Sequence, residues 1–477
     1  MAPILIFVCA YMALSVAIGL FAARFVSSSA DYVVAGRSLP IYITIATVFA
    51  TWFGSEAVLG IPATFIEEGM LGIIADPFGA GMCLVLVGLF FARPLYRMKL
   101  LTIGNYYRNK YGRTVEALVS LCICLSYMGW VSAQIVAMGL VLNILSMGDI
   151  SAVQGMMIGM AVVLVYTVFG GMWSVALTDF VQMLVILVGL GLVAVYVADH
   201  SGGVGPVVEH AIANDQLRFW PEWSTVGLLA YIAAWVTIGL GSIPQQDVFQ
   251  RVMSAKDETT AVRGSVIGGL LYVVFAFVPI YLAYSALLID PVTVGGQMAQ
   301  DSQIVLPNLI LNHTPLWVQI IFFGALLSAI MSTASGTLLA PSVTFAENIV
   351  RPFFPNLTDR QNLRLIRVSV VVFSGAILLF AINSTSSIFE MVENAYKVTL
   401  SGAFVPLVAG LYWKRANTGG ALTSIALGLS VWIALEMITP EGMMPPQLGG
   451  LIAALAGMAV GSYVFARTNT PQPAAAE

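Results

Sequence analysis

The sequence predicts an all-α polytopic membrane protein with about thirteen transmembrane helices and its N-terminus outside the cell. Hydrophobic residues make up 59% of the 477-residue chain and charged residues only 9%, which excludes an ordinary soluble domain. Most of the chain falls into apolar segments of about 20 residues, the length that crosses a bilayer. Lys and Arg gather in alternate loops, which fixes the orientation of the spans.

The connections between spans are too short to separate a second domain, so one transmembrane domain covers 1–477. The four cysteines all fall within spans, where we expect packing roles and no disulfide. The predicted spans are 3–25, 41–66, 70–95, 115–147, 150–171, 173–199, 225–249, 262–289, 315–347, 365–385, 388–412, 417–439 and 448–467.

The basic residues give the sidedness of the bundle. With the N-terminus outside, eighteen of the twenty Lys and Arg residues fall in inner loops or the C-terminal tail, including Arg251 and Arg467. Only Arg218 faces outward, and Lys397 lies within a span. The opposite orientation would carry those eighteen charges across the membrane, contrary to the positive-inside rule.

After the extra N-terminal span 3–25, the remaining spans divide into repeats at 41–199 and 225–412, followed by two extra spans at 417–467. Five spans is an odd number, so the second repeat must be inverted relative to the first, as in many secondary transporters. The first helix of each repeat should then be broken near the midplane. Both have a weak point: 54–56 holds Gly, Ser and a charged Glu, and 239–244 holds two Gly, a Ser and a Pro.

The ninth span contains the run GALLSAIMSTASGTL, with five hydroxyl side chains in an apolar helix. Ala329, Ser332 and Thr333 stand at i, i+3 and i+4, so one carbonyl and two hydroxyls share a face. Hard cations prefer such oxygen ligands. Asp179 adds a lone carboxylate in another span. Together they predict a small cation, sodium first, although Ser and Thr also serve as packing and hydrogen-bonding residues between membrane helices.

Five segments occur in the order of a known family: DYVVAGRSLP, LTIGNYYRNKYG, VFGGMWSVALTDFVQM, GSIPQQDVFQRVMSAKD and SAIMSTASGTLL. On these motifs the chain resembles the sodium:solute symporter family, which includes sodium-coupled proline, sugar, sialic acid and choline transporters. The resemblance covers nearly the whole chain. It implies a LeuT-type five-plus-five inverted repeat with broken first helices, in the cell (inner) membrane.

The resemblance also implies a set of sodium ligands: the carbonyls of Ala50, Phe53 and Ala329 and the hydroxyls of Ser332 and Thr333. Resemblance to some members of the family also implies a second ion site around Asp179. Ser335 could supply a hydroxyl to that site. Gly336 stands where those members have another serine, a departure from the pattern. Asp179 could alternatively accept a proton, tune the first site or serve the structure alone.

The solute should lie between the broken helices and spans 3, 4 and 11. The candidates are Trp52, Ser55, Glu56, Asp76, Trp130, Gln134, Trp235, Gln245 and Gln246. Trp52 and Trp130 fall where the choline branch has tryptophans, and aromatic faces beside a carboxylate suit an ammonium group. Gln245 replaces the third tryptophan of that branch. The solute class stays open among amines, zwitterions and carboxylates, and packing is the alternative role for the tryptophans.

Glu390, Glu393 and Lys397 open span 11 on one helical face, with Glu393 and Lys397 in the favourable i, i+4 order. The interpretations are an ion pair near the outer interface or a role in the outer gate. The three histidines lie in or beside outer loops, so no metal cluster or catalytic triad can be built from them.

The predicted function is therefore sodium-coupled secondary symport that imports a small polar organic solute by alternating access. The alternatives are a proton-coupled or uncoupled transporter of the same fold, and a solute-sensing membrane module, although we expect no signalling domain after the last span. We expect no enzymatic activity. Na⁺ is the expected coupling ion, with no organic cofactor, and the partners are the small-molecule solute and the lipid bilayer, not nucleic acid. A monomer is the working expectation for the oligomeric state.

Overall fold

The computed structural model describes residues 2–440 and 442–465. Arg467 and the 468–477 tail lie outside these residues. Over the described ranges the chain is helical, and its β-type pairing is limited to an isolated bridge between Leu39 and Ala255.

Fourteen helical segments are long or apolar enough to build the membrane bundle. They are α1 (Pro3–Phe25), α2 (Ile41–Trp52), α3 (Glu56–Gly72), α4 (Ile74–Arg97), α5 (Arg113–Leu145), α6 (Ala152–Ser201), α7 (Thr225–Gly241), α8 (Gln246–Met253), α9 (Glu258–Ile289), α10 (Leu316–Phe353), α11 (Asp359–Asn383), α12 (Ile388–Tyr412), α13 (Thr418–Ile438) and α14 (Pro446–Val464).

Two pairs of these helices are single spans with a bend. The axes of α2 and α3 differ by 57°, and those of α7 and α8 by 51°. The breaks fall at residues 53–55 and 242–245, where the sequence had its weak points, so the predicted interruption of the first helix in each repeat is confirmed. Each break leaves backbone groups without helical partners inside the bundle.

The 50-residue helix α6 supplies two spans. At 1.5 Å per residue it would be roughly 75 Å long, more than twice the hydrocarbon thickness. Gly171 breaks it with φ 50° and ψ −137°, a conformation that glycine adopts readily. With α6 counted twice and each bent pair once, the described residues form the predicted thirteen spans.

Side-chain caps set where several helices begin. The side chains of the residues before the helices accept hydrogen bonds from backbone N–H groups of the first turn, which otherwise have no partner. Such caps are Ser151, Ser224, Asp257, Thr358, Ser387 and Asn417. The predicted span limits at these places agree with the structure to within a few residues.

α10 is the central helix of the bundle. In its most apolar stretch 72% of the residues are buried, against 33% for α1 and 22% for α13 at the periphery. It packs against α5 and α6. The outward faces of the peripheral spans carry exposed large apolar side chains, as lipid contact requires, for example Ile6, Val188, Val195 and Leu379.

The bridge between Leu39 and Ala255 joins the two repeats. The Leu39 N–H donates to the Ser254 carbonyl at 3.0 Å, and the Lys256 N–H donates to the Leu39 carbonyl at 3.0 Å. Leu39 precedes α2 and Ala255 follows α8. The two hydrogen bonds therefore connect the predicted inner ends of the two broken spans.

Candidate ion and solute site

The break between α2 and α3 brings the candidate ion and solute residues together. The Gly54 N–H donates to the Trp52 carbonyl at 2.9 Å, outside helical geometry. A Cβ on Gly54 would lie 2.6 Å from Glu56 Oε2, 2.7 Å from Thr333 Oγ1 and 2.8 Å from Gln134 Oε1. A side chain at position 54 would therefore have to displace one or more of these three oxygens, which come from three different spans.

All five predicted sodium ligands are fully buried: Ala50, Phe53, Ala329, Ser332 and Thr333. The Thr333 hydroxyl donates to the Ala50 carbonyl at 3.1 Å, which joins α10 to α2. The Ser332 hydroxyl donates to Asp179 Oδ1 at 2.5 Å, which joins α10 to α6. Ser335 instead donates to the Ser332 carbonyl of its own helix at 2.9 Å. Sodium binding by this set stays a prediction.

Asp179 belongs to a buried charge cluster formed by Asp179, Arg251 and Asp247. Arg251 Nη2 lies 3.6 Å from Asp179 Oδ2, and Nη1 lies 3.5 Å from Asp247 Oδ2. The Tyr127 hydroxyl donates to Asp247 Oδ1 and accepts from the Asp247 N–H at 2.9 Å. The assignment of Arg251 to an inner loop was wrong: it lies on α8 inside the bundle with 1% exposure, because the short helix turns this face toward α6 and α10.

Four aromatic side chains, Trp52, Trp130, Tyr396 and Tyr127, form what we call the aromatic enclosure. Trp52 and Trp130 are stacked with ring centroids 5.0 Å apart and planes 20° apart. Tyr396 meets both edge-on at 5.4 Å. Tyr127 stacks on Trp130 at 5.8 Å. All four rings are completely buried.

Glu56 lies against the enclosure and accepts from neutral donors. Trp130 Nε1–H donates to Oε1 at 3.2 Å, and Gln134 Nε2–H donates to Oε2 at 2.6 Å. Gln134 Oε1 in turn accepts from the Ser55 N–H at 2.8 Å. Among the described residues no Lys, Arg or His lies within ion-pair distance of Glu56. In its ionised form Glu56 would therefore have hydrogen-bond donors but no compensating cation among the described residues.

Asp76, at the start of α4, is a second buried carboxylate. The Tyr272 hydroxyl donates to its Oδ1, while Oδ2 has no hydrogen-bond partner. The Tyr272 ring meets Phe53 edge-on at 6.2 Å, which brings Asp76 close to the broken segment. Asp76 also has no cationic partner in the part of the chain that the structure describes.

The three other solute candidates have different surroundings. Gln245 Nε2–H donates to Ser126 Oγ at 2.9 Å, next to the enclosure residue Tyr127 in sequence. Gln246 Oε1 accepts from the Ile103 N–H at 2.8 Å, at the start of the inner helix Ile103–Tyr111. Trp235 is half-buried, and its ring contacts are with Phe78 and Tyr231 rather than with the enclosure. Gln246 and Trp235 thus have partners in other clusters.

The charged residues that open span 11 do not form the expected pair. Lys397 Nζ lies 3.9 Å from Glu436 Oε1 of α13, and no ion pair between Lys397 and Glu393 is formed. Glu390 caps its own helix by accepting from the Ser387 N–H at 3.0 Å. Lys397 therefore links span 11 to a C-terminal span, because its long side chain can reach across to the neighbouring helix.

Sequence reasoning missed five residues that the structure brings to the site: Tyr127, Asp247, Arg251, Tyr272 and Tyr396. For Asp247 and Arg251 a signal exists, because their i, i+4 spacing on an interrupted membrane helix predicts an internal ion pair. The three tyrosines carry no comparable signal, since nothing local distinguishes a tyrosine that faces a site from one that packs.

The comparisons with known proteins agree on the family. The profile described as SSF, the sodium:solute symporter family, matches residues 32–428. High-affinity choline transporter 1 of Caenorhabditis elegans is 27% identical over 84% of this chain and 70% of its own length. The osmoregulated proline transporter OpuE of Bacillus subtilis is 26% identical over 93% of this chain and 91% of its own.

Solved structures show the same fold. A Na⁺-coupled sialic acid symporter in a substrate-bound outward-open state superposes with a TM-score of 0.81 over 98% of both chains, at 19% identity. Mhp1, a nucleobase-cation-symport-1 family transporter, gives 0.63 over 93% of this chain and 96% of its own, at 17% identity. The LeuT-type arrangement expected from the sequence is confirmed. Since the family profile covers most of its length, the chain belongs to the sodium:solute symporter family, whose members are multi-pass proteins of the cell membrane.

Proposed function

We propose that this protein imports a small organic cation, an amine or quaternary ammonium compound, together with Na⁺ by alternating access. One observation carries the choice of cargo. Two fully buried carboxylates, Glu56 and Asp76, lie at the broken helix without a cationic partner among the described residues. Buried charges in membrane proteins are costly unless they are paired, and a cationic solute would supply the missing positive charge.

The aromatic enclosure supports the same class of solute. A cation over an indole or phenol face gains about 0.5–2 kcal/mol, more when water is excluded. Trp52, Trp130 and Tyr396 are packed against one another, and Trp130 Nε1–H donates to Glu56, so a cation that entered between these rings would lie beside that carboxylate. A carboxylate solute would instead approach two uncompensated negative charges. The similarity to high-affinity choline transporters favours an ammonium cargo, while the amide of Gln245 leaves room for a solute with a polar tail.

For the ion we propose Na⁺ on the carbonyls of Ala50, Phe53 and Ala329 and the hydroxyls of Ser332 and Thr333. Supporting this, the Thr333 hydroxyl joins α10 to the Ala50 carbonyl near the end of α2. An ion on these oxygens would hold α2 against α10 and shape the adjoining solute site. Na⁺ binding would then favour the solute-competent state, which is the thermodynamic basis of coupling.

The test is uptake by the purified chain in proteoliposomes, with radiolabelled choline, glycine betaine and proline as probes. We expect Na⁺-dependent uptake of the cation choline to exceed that of the two zwitterions. Glu56→Gln should lower choline uptake at least tenfold. Ser332→Ala with Thr333→Ala should remove the dependence on Na⁺.

Ser342→Ala is the matched control for the hydroxyl variants. Its hydroxyl is equally buried on α10 but donates to the Leu338 carbonyl of its own helix at 2.7 Å, so uptake should be unchanged. Uptake that is equal in K⁺ and Na⁺, or that follows a pH gradient instead, would support a proton-coupled or uncoupled carrier. Sodium-dependent binding without uptake would support a sensing module.

A further inference from the structure

An apolar groove, which we call the outer groove, lies beside the predicted outer ends of α3 and α9. A short helix, Val204–Ala213, covers it; this surface helix follows α6 in the predicted outer loop. The groove has a volume of about 360 Å³, within the roughly 300–1,000 Å³ of pockets that hold small organic molecules. Phe65 and Met70 of α3 and Phe277 and Ile280 of α9 line it, and it shares no lining residue with the ion and solute site.

The surface helix presents an apolar face to the outer groove. Val204, Val207, Val208 and Ala211 stand at i, i+3, i+4 and i+7, so they share one side of the helix, and all four line the groove. Val207 and Ala211 are buried, whereas Val204 is 57% exposed and Val208 is 39% exposed. The helix therefore directs apolar side chains into the open space of the groove.

The outer groove continues the lipid-facing surface of α9. Leu270, Val274 and Phe277 are exposed and stand at i, i+4 and i+7, so they form one outward stripe. Phe277, the last residue of this stripe, also lines the groove. Exposed large apolar side chains on a membrane-spanning helix contact lipid. The lipid that covers this stripe therefore reaches the mouth of the groove.

The rim of the outer groove has the amphipathic character of a membrane–water interface. Trp223, which follows the surface helix, is strongly exposed, as in the aromatic belts of membrane proteins. The Tyr284 hydroxyl lies 3.1 Å from His210 Nδ1. The Tyr281 hydroxyl lies 3.2 Å from Ser201 Oγ. Both tyrosines line the groove, while their polar ends have partners at the rim.

The segment that follows the surface helix is joined to α3. The Met70 N–H donates to the Gln216 carbonyl at 2.7 Å. Gly69 has φ 68°, and a Cβ on it would lie 2.8 Å from the same carbonyl, so a side chain at position 69 would disturb this joint. A ligand in the groove would contact the elements on both sides of the joint.

We propose that the outer groove binds an acyl chain of a bilayer phospholipid, with the lipid headgroup at the rim beside His210. A polar solute does not fit, because the described residues that line the groove are apolar apart from the hydroxyls of Tyr281 and Tyr284, which already have partners. A lipid chain can enter from the stripe on α9. The inference does not depend on the proposed ion or cargo.

The experiment is photolabelling of the purified full chain in phosphatidylcholine nanodiscs. A small fraction of the lipid carries a diazirine at the end of one acyl chain, and mass spectrometry of peptides locates the label. We expect label on Phe65 and Val207, which are buried and line the groove, as well as on lipid-facing Val274. The same lipid with its diazirine on the headgroup should label His210 and not Phe65.

Val208→Trp should lower the label on Phe65, relative to that on Val274, by about tenfold, the factor expected if the indole displaces about two methylene groups of the chain. Ile212→Trp is the matched control. Ile212 lies one turn further along the surface helix, is exposed and does not line the groove, so labelling should be unchanged. Val208→Asn and Ile212→Asn form a second matched pair in case the indole disturbs the helix.

Three results would overturn the proposal. Label on lipid-facing residues such as Val274 without label on Phe65 would show that the chain stays outside the groove. Equal label on Phe65 in the Val208 and Ile212 variants would show that the groove does not hold it. Label on Phe65 from the headgroup probe would show that the groove takes the polar end of the lipid.

Discussion

Gly54 is the point where the two halves of the site touch. Its missing side chain lets the hydroxyl of Thr333, the carboxylate of Glu56 and the amide of Gln134 converge within 2.8 Å of one position. The proposed Na⁺ ligand Thr333 and the proposed solute ligands Glu56 and Gln134 thus meet at Gly54. A change at that position should disturb both.

Gly54→Ala should therefore weaken Na⁺ binding at least tenfold, because a methyl group would push Thr333 and Glu56 apart. The measurement is ²²Na⁺ binding or Na⁺-dependent thermal stabilisation of the purified protein. Gly375→Ala is the control: a Cβ there meets nothing within 4 Å on the exposed face of α11. It should bind Na⁺ normally and be more stable by about 0.5–1 kcal/mol. Normal Na⁺ affinity in Gly54→Ala would contradict this arrangement.

Tyr272→Phe should destabilise the protein by roughly 1–3 kcal/mol, since it removes the hydrogen-bond donor of a buried carboxylate. Asp76 then has no partner for either oxygen. Asp76→Asn added to Tyr272→Phe should recover part of the loss by removing the charge. Reversible unfolding or the apparent melting temperature in nanodiscs gives the comparison, and equal stability of Tyr272→Phe and the unchanged protein would show that the bond contributes little.

The residue scale also shows where sequence reasoning stops. Trp52, Glu56, Trp130 and Gln134 were predicted as solute candidates, and the structure joins them by direct contacts. Arg251 was not, because its position on α8 is set by how a separate eight-residue helix turns against α6 and α10. A charged residue within a predicted span is energetically costly unless it is paired. The sequence shows that such a residue is present, but only the packed structure shows which partner it has.

Among the helices, α6 shows how one continuous element can cross the membrane twice. Its predicted halves, 150–171 and 173–199, are separated in the structure at Gly171 alone. A Cβ on Gly171 would lie 2.4 Å from the Tyr32 carbonyl, and its φ of 50° is unfavourable for other residues. Hydropathy located this turn because each half has the length of a bilayer.

Gly171→Ala should accordingly reduce the amount of monodisperse folded protein severely, because strain and the clash with Tyr32 both oppose the turn. Fluorescence-detected size exclusion of a tagged chain measures this directly. Gly191→Ala on the same helix is the matched control, since its Cβ would meet nothing within 4 Å. Similar yields of the two variants would show that another residue can take up the turn.

The breaks in the two spans were predicted from the sequence, whereas the bridge between Leu39 and Ala255 was not. Glycine, serine and proline clusters indicate where a membrane helix loses its hydrogen bonds. The bridge from Leu39 to Ala255 depends on two loops that meet only in the folded bundle. It ties the loop before α2 to the loop after α8 by two backbone hydrogen bonds.

For the whole molecule, fold and family could be predicted from the sequence because hydropathy, charge asymmetry and ordered motifs are properties of the entire chain. The solute could not, because it depends on which side chains remain uncompensated once the bundle is packed. A cationic solute that entered with a single Na⁺ would carry two positive charges inward per cycle. Each is worth about 2.3 kcal/mol at 100 mV.

Uptake should therefore depend steeply on membrane potential. At 100 mV, inside negative, each transported positive charge multiplies the accumulation ratio by about fifty. A cationic solute that enters with one Na⁺ should therefore gain this factor twice, and a zwitterion that enters with one Na⁺ should gain it once. Proteoliposomes with potentials clamped by K⁺ and valinomycin provide the measurement, with choline and proline as the probes. If choline accumulation rises by only one factor of about fifty, then only one net positive charge enters per cycle. Choline would then enter without a co-transported cation, or a charge would leave in exchange.

The parallel stacking of Trp52 and Trp130 gives this protein an intrinsic optical signal. Two indoles 5.0 Å apart with nearly parallel planes couple their electronic transitions, and a guest inserted between or beside them would alter that coupling. The ultraviolet circular dichroism of unlabelled protein should consequently report solute binding at the aromatic enclosure in real time, without a dye or an engineered cysteine, and for any cargo that perturbs the two rings.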